Sequence, residues 1–399
     1  MKHTTAGIAI VLALVVAACS GGDDAAPTSP PTTAPSSSTS STTTTSSTTT
    51  SSTSSSTTTT TEAPLEDVYR MPLTGEPIDG PSDVPDRPAL AVKIDNHPRA
   101  HPQAGLNEAD IVFEEIVEFG TRFAAVFHTQ GSDPLGPIRS GRTQDVDILA
   151  SLDQPLFAWS GGNAGVRSMI RQSPMINLDA GFSPGYYRRS GRSGAPHNLF
   201  SSTEALWLST PEDHRVPPQQ LPYLAEGEQP DGEEATLVTL TMDGLNIRWE
   251  YDEESETYLR YERGSPHQTE LTGQVSTDNV VVMAIEYGRS QADVTSPEAQ
   301  VTGTGPVVVF SRGVARIGYW SRPSILDPYT FVVELPDPAE AAENDDAEND
   351  DAESDDESDD GPEPGLDPFT DSDAELIGLT PGRTWVALQR DAENFVAWE

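Results

Sequence analysis

Two arginines stand three residues apart in the heptapeptide GPIRSGR, residues 136 to 142. The surrounding chain has 399 residues, 23 basic and 64 acidic side chains, and a formal charge of −41. Between Arg122 and Arg192 the balance reverses: eight arginines (122, 139, 142, 167, 171, 188, 189, 192) face five aspartates (133, 145, 147, 153, 179), a local excess of +3. A guanidinium is a planar fork of donors matched to carboxylate or phosphate. A glycine-bounded turn leading into a helix adds backbone N–H groups that also favour anions. Arg139, Ser140 and Arg142, with Arg122, are therefore candidates for clasping one anionic group. The competing reading pairs them with Asp95, Asp110, Glu114 and Glu115 inside the same domain, where they would only stiffen loops.

Two further clusters carry polar chemistry. Lys93 to Gln103 reads KIDNHPRAHPQ and follows an apolar run, so Asp95 and Asn96 fall at a strand end, where the strand fixes side chains and the loop exposes them. His97 and His101, with His128 and His197, have the chemistry of metal ligands. Their spacing matches no compact motif, Pro98 keeps the first pair off one helix, and no metal or cofactor is expected. Arg188 to Leu199 reads RRSGRSGAPHNL. Ser190 or Ser193 with His197 and an aspartate would supply a hydrolase triad, but neither serine lies in a Gly-x-Ser-x-Gly elbow. Asp95 with Glu114 or Glu115 has the residue types for acid/base work on a glycan. No catalytic residue is assigned on these grounds.

The elements that must position these residues can be read from periodicity. Strands are expected at Ala89–Ile94, Ile111–Val117, Arg122–Thr129 and Pro155–Ser160, with a hairpin turn at Glu118-Phe119-Gly120. Helices are expected over Thr143–Leu152, near Ala164–Arg171, and near Ser201–Leu208, the last opening on Ser201-Ser202-Thr203-Glu204 as a capping box. This predicts an α/β (or α+β) N-terminal domain over 65–228. Beyond Pro230 the segments Thr236–Met242, Ile247–Tyr251, Thr257–Tyr261, Asn279–Tyr287, Pro306–Phe310, Ala315–Trp320 and Thr384–Gln389 read as strands of a β-rich C-terminal domain over 229–399. Phe310 to Val314 reads as a tight hairpin turn, and RTWVALQR as the last strand.

Outside these regions nothing repays the entropy of folding. Residues 1–18 read as an export signal, and Val16-Ala17-Ala18-Cys19 resembles a lipobox, making Cys19 the expected site of lipid attachment. It is the only cysteine, so no intrachain disulfide exists. Several acyl chains on Cys19 would make a durable anchor at the extracytoplasmic face of the membrane. Residues 19–64, almost all Ser, Thr, Pro and Ala, are an expected disordered tether, about 150 Å long when extended. Residues 337–364 form a disordered acidic insertion with thirteen carboxylates between Glu343 and Glu363. It reads as a solubilising excursion, or as a scaffold element that docks a basic partner. So acidic a surface excludes non-specific nucleic-acid binding.

The run from Arg87 to Arg142 resembles the N-terminal domain of the YerB-like bacterial lipoproteins, a domain of unknown function numbered 3048. Its most specific parts are IDNHPRAHPQAGLNEADIV, Thr121-Arg122-Phe123, GPIRSGR and Pro196-His197-Asn198-Leu199. The C-terminal half is similar to that family's second domain through Asn279–Val282, GTGPVVVFSRGVARIGYW and LTPGRTWVAL. The resemblance implies an extracytoplasmic, membrane-anchored protein with an α/β domain followed by a β domain, and no established enzymatic activity. Asp95, Asn96, Arg122, Arg139, Ser140, Arg142, His197 and Asn198 fall on its motifs and are expected to line one ligand-binding cleft. The expected ligand is an anionic cell-envelope component, such as a peptidoglycan stem carboxylate or wall polymer, or an envelope-synthesis protein. The alternative is a wall hydrolase or transferase using Asp95, Glu114 or His197.

Overall fold

A computed structural model describes residues 69–334 and 374–399. The expected leader, Cys19, the tether and the acidic insertion lie outside the described residues.

The N-terminal region supplies five strands to the main sheet, β1 (Leu90–Asp95), β2 (Ile111–Val117), β3 (Gly120–Phe127), β4 (Leu156–Trp159) and β5 (Ile176–Asp179), while Tyr187–Arg188 and Leu199–Phe200 pair apart from it. Its helices are α1 (Gln144–Leu149), α2 (Ala164–Gln172) and α3 (Thr203–Trp207). The expected helix over Thr143–Leu152 is thus shorter, continuing as a 3₁₀ turn at Ala150–Leu152 and stopping at Asp153 with φ 50°. The cap of α3 also differs from expectation. Ser202 accepts from the Ala205 N–H at 3.2 Å, while the Ser201 hydroxyl donates to the Gly185 carbonyl at 2.8 Å.

These strands belong to one eleven-stranded sheet that continues into the C-terminal region. Its order is Thr330–Val332, Val314–Arg322, Gly303–Ser311, Asn279–Ile285, Thr384–Arg390, β2, β3, β1, β4, β5, with Glu233–Glu234 beside Val314–Arg322. Thr384–Arg390, expected as a closing strand, lies at the centre, parallel to both Asn279–Ile285 and β2. Six of its seven residues are buried, the continuous burial of a strand covered on both faces. The chain adds one more short strand after it, Ala397–Trp398. The sequence boundary near residue 228 is therefore no gap in the fold, since the sheet runs across it.

A second sheet of six strands, including Leu237–Met242, Leu245–Asp252 and Thr257–Glu262, packs on one face of the first. Alternation along β1 sends Leu90, Val92 and Ile94 into that core with Val238, Leu240 and Trp249. Ala89 and Ala91 go to the opposite core with Phe157, Trp159 and Ile170. The 310–314 hairpin turns through Arg312 (φ 45°) and Gly313 (φ 76°), both in the left-handed region that a two-residue turn of matching twist requires.

Candidate functional site

The pleat sorts the polar residues at the end of the central strands. Arg122 on β3 lies opposite Asp95 on β1 and opposite Glu115 on β2, so these three share one face with Lys93, two residues before Asp95. Glu114 and Thr121, one residue away, point to the other face.

On the first face Lys93 is fully buried, touching Glu115 and donating to Asp145 Oδ1 at 2.6 Å. Burial pushes its ammonium down to about 8, with Asp145 opposing. Above it runs GPIRSGR, pinned along β1 by Asp95 N–H to the Pro137 carbonyl (2.9 Å) and Arg139 N–H to the Lys93 carbonyl (2.8 Å). Arg142 is neutralised internally: Nε donates to Glu118 Oε1 at 2.8 Å and Nη2 to Oε2 at 2.5 Å. Its backbone N–H is taken by Asp145 Oδ2 at 2.6 Å, so a protein carboxylate already fills the turn before α1 where a bound anion was expected. Arg139 approaches Asp95 Oδ2 at 3.4 Å through Nε, and its Nη1 reaches Ser140 Oγ at 3.3 Å.

Arg122 is different. It is 8 % exposed, its guanidinium makes one hydrogen bond, from Nη1 to the Ser140 carbonyl at 3.1 Å, and among the described residues no carboxylate comes within ion-pair distance. The facing Glu115 is committed to Lys93. Burial, and then the neighbouring Arg142 and Arg139, push Arg122 down to about 9, with the charges of Glu118 and Asp95 opposing from beyond ion-pair distance. The rest of the basic island is dispersed into local contacts. Arg167 pairs with Asp179, Arg189 with Glu270 at 2.6 Å, and Arg188 donates to Asn198 Oδ1 at 2.9 Å. Arg192 donates to the carbonyls of Ala100 and Pro102 at 2.7 and 2.6 Å.

Asp95, buried at the carboxyl end of β1, organises two histidines. Its Oδ2 accepts from His197 Nδ1 at 2.7 Å and its Oδ1 from the His97 N–H at 3.1 Å. The two imidazoles stack with centroids 4.4 Å apart. Burial and then His197 lower the pKa of His97. Neither Ser190 nor Ser193 hydrogen-bonds to His197, so the triad's nucleophile is missing. A separate cleft of about 390 Å³ opens at the carboxyl ends of β4 and β5, lined by Ser160, Gly161, Arg167, Asp179, Tyr186 and Arg188; Asp95, the two histidines, Arg122 and Arg139 do not line it. The ends of parallel strands are where open sheets bind ligands. Gly161 (φ +90°) links this cleft to the arginine-bearing segment, since a Cβ there would lie 3.2 Å from Ser140 Oγ.

Asn96 belongs to the opposite face and not to this cleft. Its Nδ2 donates to Thr121 Oγ1 and Glu262 Oε2, both at 2.9 Å. The centre there is Arg260, fully buried, forked onto both Glu114 oxygens at 2.9 Å and ringed by Phe123, Trp249 and Trp385. Glu114 also accepts from Thr121 and Trp385, so it is spent on joining the sheets and cannot work on a sugar with Asp95. The four histidines singled out from the sequence do not gather: His97 and His197 stack beside Asp95, His101 joins the Arg260 network, and His128 lies against the carbonyls of Pro85 and Arg87. Among the described residues His101, Glu262 and His267 do converge, with ligand atoms within 4.8 Å. His267 faces Arg260 Nη1 at 2.5 Å and Gln103 Oε1 at 2.9 Å with its two nitrogens. Burial and then Arg260 depress both histidines, His101 to about 4, and the same guanidinium would repel a metal cation. These residues do not fit a metal.

Sequence reasoning missed Lys93, Glu118 and Asp145, the groups that fix the arginines. The one available signal was Lys93 itself, a cation inside the apolar run ALAVKI.

The comparisons agree with this architecture. Residues 73–215 match the family described as "Protein of unknown function (DUF3048) N-terminal domain", and residues 238–339 its C-terminal domain. The chain is 27% identical over 244 residues to a Bacillus subtilis (strain 168) protein named "Putative lipoprotein YerB", covering 57% of this chain and 72% of that protein. The crystal structure of YerB from Bacillus subtilis superposes with a TM-score of 0.62 at 20% identity, over 83% of this chain and 99% of that one. The chain belongs to the YerB-like family, carrying both of its DUF3048 domains.

Proposed function

We propose that this protein is a lipoprotein, held through acylated Cys19 at the outer face of the membrane, that binds an anionic group of a cell-envelope component between Arg122 and Arg139. The lipobox around Cys19 and the printed name of the Bacillus subtilis relative support the anchor. One observation carries the ligand class: Arg122 is a buried guanidinium with no carboxylate partner, beside a second, partly exposed one. A buried charge with no counter-ion in contact is costly, and an arriving carboxylate or phosphate would relieve it. Replacing Arg122 and Arg139 together by glutamine is expected to lower retention of the mature protein on purified wall material by about tenfold or more. Retention equal to the wild type would remove the reading.

A further inference from the structure

Resting on the anion-binding reading, we propose that the group gathered on Asp95 hydrolyses phosphodiesters, with His197 as general base toward water and Arg122 and Arg139 on the non-bridging oxygens. His197 and Arg139 both approach Asp95 Oδ2, at 2.7 and 3.4 Å, and Arg122 lies opposite Asp95 on β3. The two stacked histidines are wired in opposite tautomers. His197 gives its Nδ1 proton to Asp95 Oδ2 at 2.7 Å, which leaves Nε2 as a lone pair. His97 receives the Arg99 N–H on Nδ1 at 3.0 Å, so its own proton sits on Nε2 as a donor. A proton acceptor and a proton donor thus lie side by side, on rings 4.4 Å apart. Among the described residues Nε2 of His197 has no hydrogen-bond partner, although the side chain is only 7 % exposed. His267 shows the contrast within the same molecule: both its nitrogens are engaged, by Arg260 and Gln103.

The charge around the dyad selects the substrate class. Acyl transfer develops one oxyanion, which one or two neutral donors can meet. A phosphodiester is anionic before reaction, and its transition state spreads charge over the equatorial oxygens, which fixed guanidiniums complement. Arg122 is fixed by burial and by its bond to the Ser140 carbonyl. In the step, His197 Nε2 takes a proton from water as the water oxygen bonds to phosphorus. The P–O bond to the leaving group breaks on the opposite side of phosphorus, that oxygen takes a proton from water, and His197 returns its proton to solvent. The products are a phosphomonoester and an alcohol. Asp95 holds the His197 tautomer as the positioning residue.

The test uses the full mature chain with bis(p-nitrophenyl) phosphate in EDTA, and calorimetric titration with inorganic phosphate. Hydrolysis is expected in the wild type. His197→Asn should lower kcat about 100-fold or more while binding phosphate within about threefold of wild type, which also certifies its fold. Asp95→Asn should lower kcat by about 10- to 100-fold at unchanged KM, because it frees the tautomer without removing an anion contact. Arg122→Gln should weaken phosphate by about tenfold. If phosphate binds but the wild type does not hydrolyse the diester, or His197→Asn matches it, the hydrolytic proposal is overturned and the binding reading stands. If the wild type does not bind phosphate, or Arg122→Gln binds it equally, the binding reading fails and takes the proposal with it.

Discussion

Arg122 and Arg142 are the same residue type on the same face of one sheet, and their energetics are opposite in sign. Arg142 satisfies Glu118: burial opposes that carboxyl's ionisation, but the bonds from Arg142 and Ser296 override it and hold it at about 2. Arg122 satisfies no carboxylate. Arg142→Ala therefore strands a half-buried carboxylate and is expected to cost about 2 kcal/mol. Arg122→Met removes a buried cation that Asp95 and Glu118 offset only from a distance, and fills the space with apolar volume, so it is expected to raise stability by about 1 kcal/mol while lowering ligand affinity. Thermal unfolding of both variants reads the sign. A lower melting temperature for Arg122→Met than for Arg142→Ala would mean that Arg122 is a structural residue. The sequence could not separate the two, because the partner of Arg142 sits in a hairpin turn 24 residues away.

The elements were legible wherever burial repeats with the strand or helix period. β2 matches its expected ends, and the register that splits Asp95 from Asn96 and Glu115 from Glu114 follows from strand parity alone. β5 escaped because four residues, two of them only half-buried, carry too weak a pattern. The GPIRSGR segment read as a turn but functions as a rail along β1, and its entry depends on Gly136. That residue has φ +136°, and a Cβ would meet the Leu199 carbonyl oxygen at 2.9 Å and Ile138 N at 3.0 Å, both backbone atoms that cannot yield. Gly136→Ala is expected to cost about 3 kcal/mol, combining backbone strain and steric contact. Gly120→Ala also meets a positive φ (+94°), but in open space, and should cost about 1 kcal/mol. Urea midpoints of the two variants measure the difference. Equal losses would show that the rail shifts freely and does not fix Arg139.

At the scale of the molecule, the C-terminal half docks onto the N-terminal one through a buried polar centre that no local pattern announces. Arg260 and Glu114 are 146 residues apart, and Thr384–Arg390 reaches the sheet centre across the acidic insertion. This interface makes stability depend on pH in a stated direction. His101 and His128 are both depressed from 6.5 to about 4, in each case by burial first and then by an arginine, and His267 shifts the same way. Between pH 6.5 and 4 the unfolded chain therefore binds more protons at these sites, and stability falls as pH falls. Asp110 works against this: burial lifts it to about 6, so the folded state takes up its proton first and gains stability from pH 6 down to 3.8. Burial raises Glu108, Asp147, Asp278 and Glu298 in the same sense as Asp110, while His97 shifts with the other histidines. The three strongly depressed histidines titrate over the upper part of the window, before most of these carboxyls, and a net loss of a few kcal/mol is expected by pH 5 to 4.5. Below that, protonation of the remaining carboxylates relieves the self-repulsion of a chain at −41, so the steepest change belongs between 6.5 and 4.5. Urea midpoints at pH 7.5, 5.5 and 4.5 test the sign, and His101→Gln, which can still donate to Asn96 without titrating, should flatten the slope. A stability that is level or rising toward pH 4.5 would show that these histidines are already charged in the fold, and that the Arg260 centre is wetter than its burial implies.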